Sequence, residues 1–330
     1  MRVAVTGATG FLGQQIVAKL LKKKCDVIAL GRNKKIGSNL GEMGARFVKA
    51  DLNSWKEMAC AFDGCSAVIH SAALSSPWGS KRAFYEANVL GTRNVLRAIE
   101  FSNVQRIVHI STPSVYFDYT DRLQISEDEQ LPRKMVNQYA RSKLEAEKIV
   151  MKAFEQGLET IIIRPRALFG PGDTTLFPRL IKANNLIGIP ITNPKPILTD
   201  LTYVENAADA ALLCLNASRI CLGKAYNITD GEPTSLEELL KGLFSSLNVF
   251  FRKRRVPYSL AFGLALFSEG IGTLIGKEPS LTRYGIGVLS RSMTLDISRA
   301  KMELGYHPQV RTQEGIARFI CWWKSGGANG

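Results

Sequence analysis

Tyr139 and Lys143, four residues apart, are the pair in this sequence best suited to moving a proton. At that spacing both side chains project from one face of a helix. A free phenol ionises near pH ~10, so it is a poor base at neutral pH until an adjacent ammonium favours the phenolate. Lys143 would supply that charge, lower the Tyr139 pKa and hold a ribose through its hydroxyls. In a chain with nine tyrosines a Tyr-x-x-x-Lys spacing also arises by chance, so context carries the reading. The pair opens a helical stretch, Tyr139 to Phe154, a crossover length beyond a buried apolar run. A carbonyl substrate needs a hydroxyl to position it as well. Ser111, Thr112 and Ser114 crowd one turn of His109-Ile110-Ser111-Thr112-Pro113-Ser114-Val115-Tyr116, and the residue types alone leave the choice among them open.

The first thirteen residues supply what such a pair needs beside it. Arg2-Val3-Ala4-Val5 reads as a strand that runs into Thr6-Gly7-Ala8-Thr9-Gly10-Phe11-Leu12-Gly13 and then into a helix with Leu12, Ile16, Val17, Leu20 and Leu21 on one face. Gly7 turns the chain out of the strand, Gly10 lets main-chain N–H groups approach a pyrophosphate, and Gly13 lets the helix lie close on the sheet. The helix N-terminus adds unpaired donors and a positive partial charge. The segment is a dinucleotide grip, with Thr9, Phe11 and Leu12 in its loop. A fold that prefers NAD places an acid at the end of the second strand, and this chain has Gly31-Arg32-Asn33-Lys34-Lys35 there. An acid would repel a 2′-phosphate, whereas Gly31 leaves room and Arg32 can pair with it or stack on adenine, so NADP(H) is favoured over NAD(H). Asp51 and Leu52, just past the third strand, are placed to meet the adenine ring, with a helix N-cap as the other reading of Asp51.

The scaffold follows from alternation. Asp26 to Leu30, Ala45 to Lys49, Ala67 to His70, Arg106 to Ser111 and Glu159 to Arg164 read as buried strands separated by helical patterns. That order predicts an α/β fold: a Rossmann-type doubly wound parallel sheet with helices on both faces and a ligand crevice at the strand C-termini. After Arg164 the elements shorten. The expected division is a dinucleotide-binding domain over 1–165 and a smaller C-terminal substrate lobe over 166–330, with 197–229 returning to the first domain. Met1 leads straight into the first strand, which leaves no room for a secretory signal, and the chain is expected to be cytoplasmic. Six cysteines without a CxxC pair, and His70, His109 and His307 far from one another, spell neither a disulfide framework nor a metal site. A net charge of +14 attracts anions. The basic residues are dispersed apart from Lys22 to Lys24, Lys34-Lys35 and Arg252 to Arg255, a pattern that disfavours nucleic acid.

Taken together, TGATGFLG, His70-Ser71-Ala72-Ala73, Asn88-Val89-Leu90-Gly91-Thr92, ISTPSVY and Tyr139-Ala140-Arg141-Ser142-Lys143 resemble the extended short-chain dehydrogenase/reductase family. The likeness continues through Arg164 to Gly172, Asp200 to Val204, Gly223 to Thr229 and Ala300 to Pro308, nearly the whole chain. It implies that Thr112 is the catalytic hydroxyl, with Ser111 its neighbour on the nicotinamide side and Ser114 the fallback. It implies that Ala72 and Ala73 line the cofactor, that Pro165 and Leu168 face the carboxamide, and that Asn88 anchors its helix or joins a proton relay with Tyr139 and Lys143. A dehydratase would carry an Asp-Glu pair after the threonine; Pro113-Ser114 stand there instead. Many relatives dimerise through the helices holding Asn88 and Tyr139, so a homodimer is expected.

Val256 to Gly276 distinguishes the second half: 21 residues with Glu269 as the only formal charge, directly after Arg252 to Arg255. Leu260, Leu264, Phe267, Ile271, Leu274 and Ile275 share one helical face. The glycines, Pro257 and Glu269 make a poor membrane span, leaving a lid over an apolar pocket, a contact with a membrane surface, or a core-packed helix pair. In this region the chain is similar to the 3β-hydroxysteroid and sterol-4α-carboxylate 3-dehydrogenase branch and to the 2-alkyl-3-oxoalkanoate reductases. The resemblance implies an NAD(P)-dependent oxidoreductase that interconverts a secondary alcohol and a ketone on an apolar substrate, a sterol or a long-chain 3-oxo acid. The alternative is a nucleotide-sugar epimerase or reductase, for which Arg164, Arg166 and Arg179 would bind a diphosphate. A non-catalytic NADP sensor or RNA-binding relative would commonly lack the tyrosine or lysine, and both are present.

Overall fold

Seven strands, each hydrogen-bonded in parallel to its neighbours, make the central sheet; the inner ones are rich in valine and isoleucine and buried on both faces, while the edge strand Arg46–Lys49 is half exposed. The computed structural model describes residues 1–279 and 281–327. The strands are β1 (Arg2–Thr6), β2 (Asp26–Gly31), β3 (Arg46–Lys49), β4 (Ala67–His70), β5 (Arg106–Ile110), β6 (Glu159–Pro165) and β7 (Lys224–Ile228). They lie in the order β7-β6-β5-β4-β1-β2-β3, and every pairing in that sheet is parallel. The order reverses between β1 and β4, which opens a crevice beyond the strand C-termini. Apolar runs such as Val3-Ala4-Val5 and Ile161-Ile162-Ile163 are inaccessible to solvent because helices cover both sides.

One face is covered by the first helix (Phe11–Lys22) and by Val204–Leu215, where Ile16, Val17 and Leu20 meet Ala207, Ala208 and Ala211. The small alanines let the two helices approach closely. Trp55–Phe62, Gly91–Phe101 and Gln138–Glu155 cover the other face through Met58, Phe62, Val95, Ile99 and Val150. Removing each such aliphatic side chain from water contributes about 1.5–3 kcal/mol.

The second lobe has its own aromatic core of Phe169, Phe177, Tyr203, Phe244 and Phe319. Its chain boundaries are more interleaved than the division at 165 anticipates. Arg122–Ile125, from the first half, pairs with Met293–Leu295 in a sheet of the lobe, while Ile297, Ala300, Leu304 and Tyr306 pack into the core beneath the first helix. Lys224–Ile228 is the seventh strand of the main sheet, a strand that the alternation in the first half does not reach.

Val256 to Gly276 forms a helix over Tyr258–Ile275 that ends on Gly276 with φ 66°. Its buried residues are Ala261, Ala265, Glu269 and Gly272; Ala261 and Ala265 pack on Ile286 of the helix Arg283–Ser290, Glu269 pairs with Arg283 at 2.6 Å, and Gly272 lies against Lys277 and Pro279. Leu260, Leu264, Phe267, Ile271, Leu274 and Ile275 are exposed. A helix pair does form, but small residues make its seam and the large apolar face points outward. That face is not part of a core.

Candidate active site

At the C-terminal edge of the sheet, β5 leaves the plane through Ser111, whose N–H donates to Ile163 O at 2.7 Å. Thr112 then caps the short turn Pro113–Tyr116, accepting from Ser114 N at 3.2 Å. Proline in the first position of that turn loses nothing by lacking an N–H. Thr112 Oγ1 donates to Ser114 Oγ at 3.0 Å, and Ser114 Oγ lies 2.9 Å from the Tyr284 hydroxyl. Opposite, Asn137 caps the helix Gln138–Glu155 by accepting from Ala140 N at 2.8 Å, which places Tyr139 in the first turn. Ser75 and Thr112 stand close enough to the Tyr139 side chain to favour its ionised form. Thr112, Ser114 and Tyr284 thus form one string of hydroxyls, with Tyr139 beside its Thr112 end.

Lys143 is buried and donates to Ile110 O at 2.6 Å, with His109 Nε2 at 3.5 Å. Burial lowers its pKa to about 8 although Glu147 opposes this. The expected depression of the Tyr139 pKa by Lys143 is not what the structure has. The ammonium donates to the end of β5, and burial raises the phenol above its ordinary value against the smaller influence of Ser75 and Thr112.

His109 is a neighbour that the sequence reading separates from His70, yet the two ring centroids lie 5.2 Å apart. The reason is register: β4 and β5 are adjacent, and His70 is the direct partner of His109. Burial and then the Lys143 charge hold His109 well below its ordinary pKa, so Nε2 accepts from the ammonium and its proton sits on Nδ1, which has no partner. Thr92 Oγ1 donates to Asn88 O at 2.6 Å and therefore accepts from His70 Nε2 at 3.0 Å, leaving His70 Nδ1 to accept from Thr6 Oγ1 at 2.7 Å.

The glycine loop has the shape the spacing implies. Gly7 turns with φ 71°, and a Cβ there would lie 2.7 Å from the Ala72 backbone; one at Gly13 would lie 2.0 Å from Gly7 O. Gly10 caps the first helix, whose first turn holds no acid, and its Cβ position meets only Gly7 O at 3.1 Å. The amides of Phe11, Leu12 and Gly13 therefore face an open, uncapped N-terminus. Gly31 does not leave the expected room for a phosphate: a Cβ there would meet Thr9 Oγ1 at 2.6 Å, so the glycine accommodates Thr9. Arg32 is exposed just beyond, and Lys34 and Lys35 open the next helix, capped by Asn33.

Asp51 caps no helix. Its carboxylate accepts from Asn53 N at 2.9 Å, and Ser54 takes the N-cap position of Trp55–Phe62. Leu52 packs over Gly91. Ala72 N reaches Thr6 Oγ1 at 3.4 Å, and Ala73 is exposed beside it. Asn88 lies in a π-helical segment, Tyr85–Leu90. Its amide accepts from Leu74 N at 2.7 Å and donates to Leu74 O at 3.1 Å and Ser142 Oγ at 2.9 Å, which ties the loop after β4 to the Tyr139 helix and takes up both sides of the amide. Pro165 ends β6, and the chain kinks at Ala167 with φ 45° before Leu168 pairs with Thr202.

Three arginines have different fates. Arg164 is buried in a bidentate pair with Glu147 and donates to the Tyr116 hydroxyl, and Arg179 pairs with Glu278 at 3.1 Å. Arg166 is buried with Nη2 donating to Thr199 Oγ1 at 3.2 Å and Nε without a partner. Asp200 and Tyr284 interact with its charge. Ser75, Tyr284, His109 and Asp200 were not legible as site residues; only their position after strand ends or in a lobe helix could have marked them.

Residues 4–258 match the 3-beta hydroxysteroid dehydrogenase/isomerase family. The chain is 31% identical over 319 residues to a 4-hydroxy-2-methyl-3-oxo-4-farnesyl-3,4-dihydroquinoline-1-oxide ketoreductase of Stigmatella aurantiaca, covering 96% of this chain and 95% of that one. It is 32% identical over 327 residues to a 2-alkyl-3-oxoalkanoate reductase of Shewanella oneidensis, covering 95% and 84%. A UDP-glucuronic acid 4-epimerase from Bacillus cereus in complex with NAD shares the fold, with a TM-score of 0.78 at 21% identity over 99% of this chain and 100% of that one.

Proposed function

The chain belongs to the 3-beta hydroxysteroid dehydrogenase/isomerase family and is an NAD(P)-dependent oxidoreductase of the extended short-chain type; from that premise we propose that it interconverts a ketone and a secondary alcohol on a long apolar substrate, with NADPH preferred over NADH and a 3-oxo acid as the substrate class. The observation that carries this reading is the string of hydroxyls through Thr112, Ser114 and Tyr284, with Tyr139 beside its Thr112 end and Arg166 near its Tyr284 end. Both relatives named above are ketone reductases whose named substrates carry a farnesyl or alkyl chain.

The residues present fit a nicotinamide dinucleotide. An uncapped helix N-terminus at Gly10 would take its diphosphate, Lys143 its ribose, and the partnerless Ser111 Oγ would meet the nicotinamide. Arg32, Lys34 and Lys35, with no acid in that turn, support a 2′-phosphate. When bound, the cofactor supplies the hydride. Thr112 and Tyr139 would then hydrogen-bond the carbonyl oxygen, and Tyr139 would deliver the proton as negative charge develops there. The raised Tyr139 pKa keeps the phenol protonated at neutral pH, which suits a proton donor in reduction.

A nucleotide-sugar substrate is less well served, because Arg164 and Arg179 are already committed to Glu147 and Glu278. Of these three arginines, Arg166 is the one with a buried donor, Nε, that has no partner.

The test is NADPH consumption by purified protein with a long-chain 3-oxo acid, a 3-oxosteroid and a dTDP-4-keto sugar, with NADH in parallel. Turnover of the acid, faster with NADPH, is expected, and Tyr139→Phe should lower it by about 10²-fold or more. Turnover of the sugar alone, or full activity in Tyr139→Phe, would overturn the assignment.

A further inference from the structure

The helix Tyr258–Ile275 is a physical anomaly in this fold. It is long enough and apolar enough to cross a membrane by composition, yet only 17% of its apolar window is buried. Phe267 is 70% and Leu274 87% exposed, and Leu260, Leu264, Ile271 and Ile275 are exposed with them. A contiguous outward row of large apolar side chains on one helix is the kind of surface that marks an interaction site.

We propose that this face docks onto the surface of an anionic lipid bilayer, with the helix lying in the plane of the interface and the basic strand Lys253–Arg255 against the headgroups. Glu269 argues against spanning: it is buried in the seam with Arg283, accepting from both its backbone N–H at 2.8 Å and its guanidinium at 2.6 Å. Only one face of the helix is free for lipid, and 18 residues make about 27 Å of helix against a hydrocarbon layer of about 30 Å. A helix with one side fixed to protein and large apolar side chains on its outward side lies along the interface rather than across it.

Charge selects the occupant. Arg252, Lys253, Arg254 and Arg255 immediately precede the helix and are exposed. Lys253 is held by Glu237, which leaves Arg254 and Arg255 for a partner. A second copy of the chain would bring the same basic run and another +14 of net charge, whereas anionic headgroups neutralise both. The docking helix is one helix from the hydroxyl string, because Arg283–Ser290 packs on its inner side through Glu269 and carries Tyr284 to Ser114. An apolar substrate dissolved in the bilayer would thus be presented close to the crevice. The docking itself requires neither the substrate nor the cofactor reading.

The experiment is co-sedimentation of the full chain with vesicles of phosphatidylcholine alone and of equimolar phosphatidylcholine and phosphatidylglycerol, beside light scattering of the free protein. Pelleting is expected with the mixed vesicles, weakened by salt, by about fivefold in Arg255→Gln, and strongly in the double variant Phe267→Ser/Leu274→Ser. Both positions are exposed, so circular dichroism should match the parent. The proposal falls if the protein stays in the supernatant with both vesicle types. It also falls if the double variant pellets like the parent, or if that variant converts a parent dimer into a monomer without changing vesicle binding.

Discussion

Tyr139 and Lys143 sit four residues apart but answer to different neighbours, and this separates their titrations. Burial keeps the phenol protonated, while Lys143, donating to Ile110 O beside the neutral His109, ionises at about 8. The ammonium is complete well below that pH and is lost as pH rises through it. If Lys143 acts as a cation, kcat/KM for reduction should fall above about pH 8, since that parameter reports the free enzyme. Lys143→Arg should keep the profile flat there; a fall that persists in the variant would assign the group elsewhere. Arg166 makes a second prediction. Arg166→Met should raise KM for a 3-oxo acid by about 10–100-fold, the worth of one charge-assisted pair, and leave the methyl ester of the same acid unaffected. Equal losses on acid and ester would remove the carboxylate role while leaving ketone reduction standing.

At the scale of elements, the Tyr139 helix is fixed from two sides. Asn88 joins it to the loop after β4 through Ser142, and Glu147 joins it to β6 through the bidentate pair with Arg164. A buried pair of this kind is costly to break and cheap to replace. Arg164→Met should therefore destabilise the fold by about 3–5 kcal/mol in urea, and adding Glu147→Leu should restore most of it. The first helix depends on contact. Gly13→Ala would place a methyl 2.0 Å from Gly7 O, so the helix must shift; a loss of about 1–3 kcal/mol is expected, together with weaker NADPH binding by fluorescence titration. The strand alternation and both helix starts were legible because period and turn chemistry are local. The π segment around Asn88 was not, since nothing in Asn-x-x-Gly-Thr distinguishes a π turn from an α turn.

The whole molecule interleaves its two cores, and the polar groups trapped where they meet make its stability depend on pH. Asp200 and Asp230 are raised to about 6, chiefly by burial. An unfolded aspartate titrates near pH ~3.9, so between about pH 4 and 6 the folded state holds more protons and stability falls as pH rises. Lowering the pH from 7 to 5 should raise this contribution. The urea midpoint of Asp200→Asn, whose amide oxygen can still accept from Leu295 N, should respond less to that change than the parent does.

What the sequence determined by itself was the glycine turn, the alternation and the placing of one residue pair: TGATGFLG after a strand, buried runs at regular intervals, and Tyr139 with Lys143 at the start of one helix. Each is written in residues close together in the chain. The tertiary structure alone decided which groups those residues face. Strand register set His70 beside His109, side chains distant in sequence took Arg164 and Arg179 and left Arg166, and the small-residue seam of Ala261, Ala265 and Gly272 turned Phe267 and Leu274 outward. Partner choice among buried charges and faces depends on packing between segments far apart in the chain, and no local pattern encodes it.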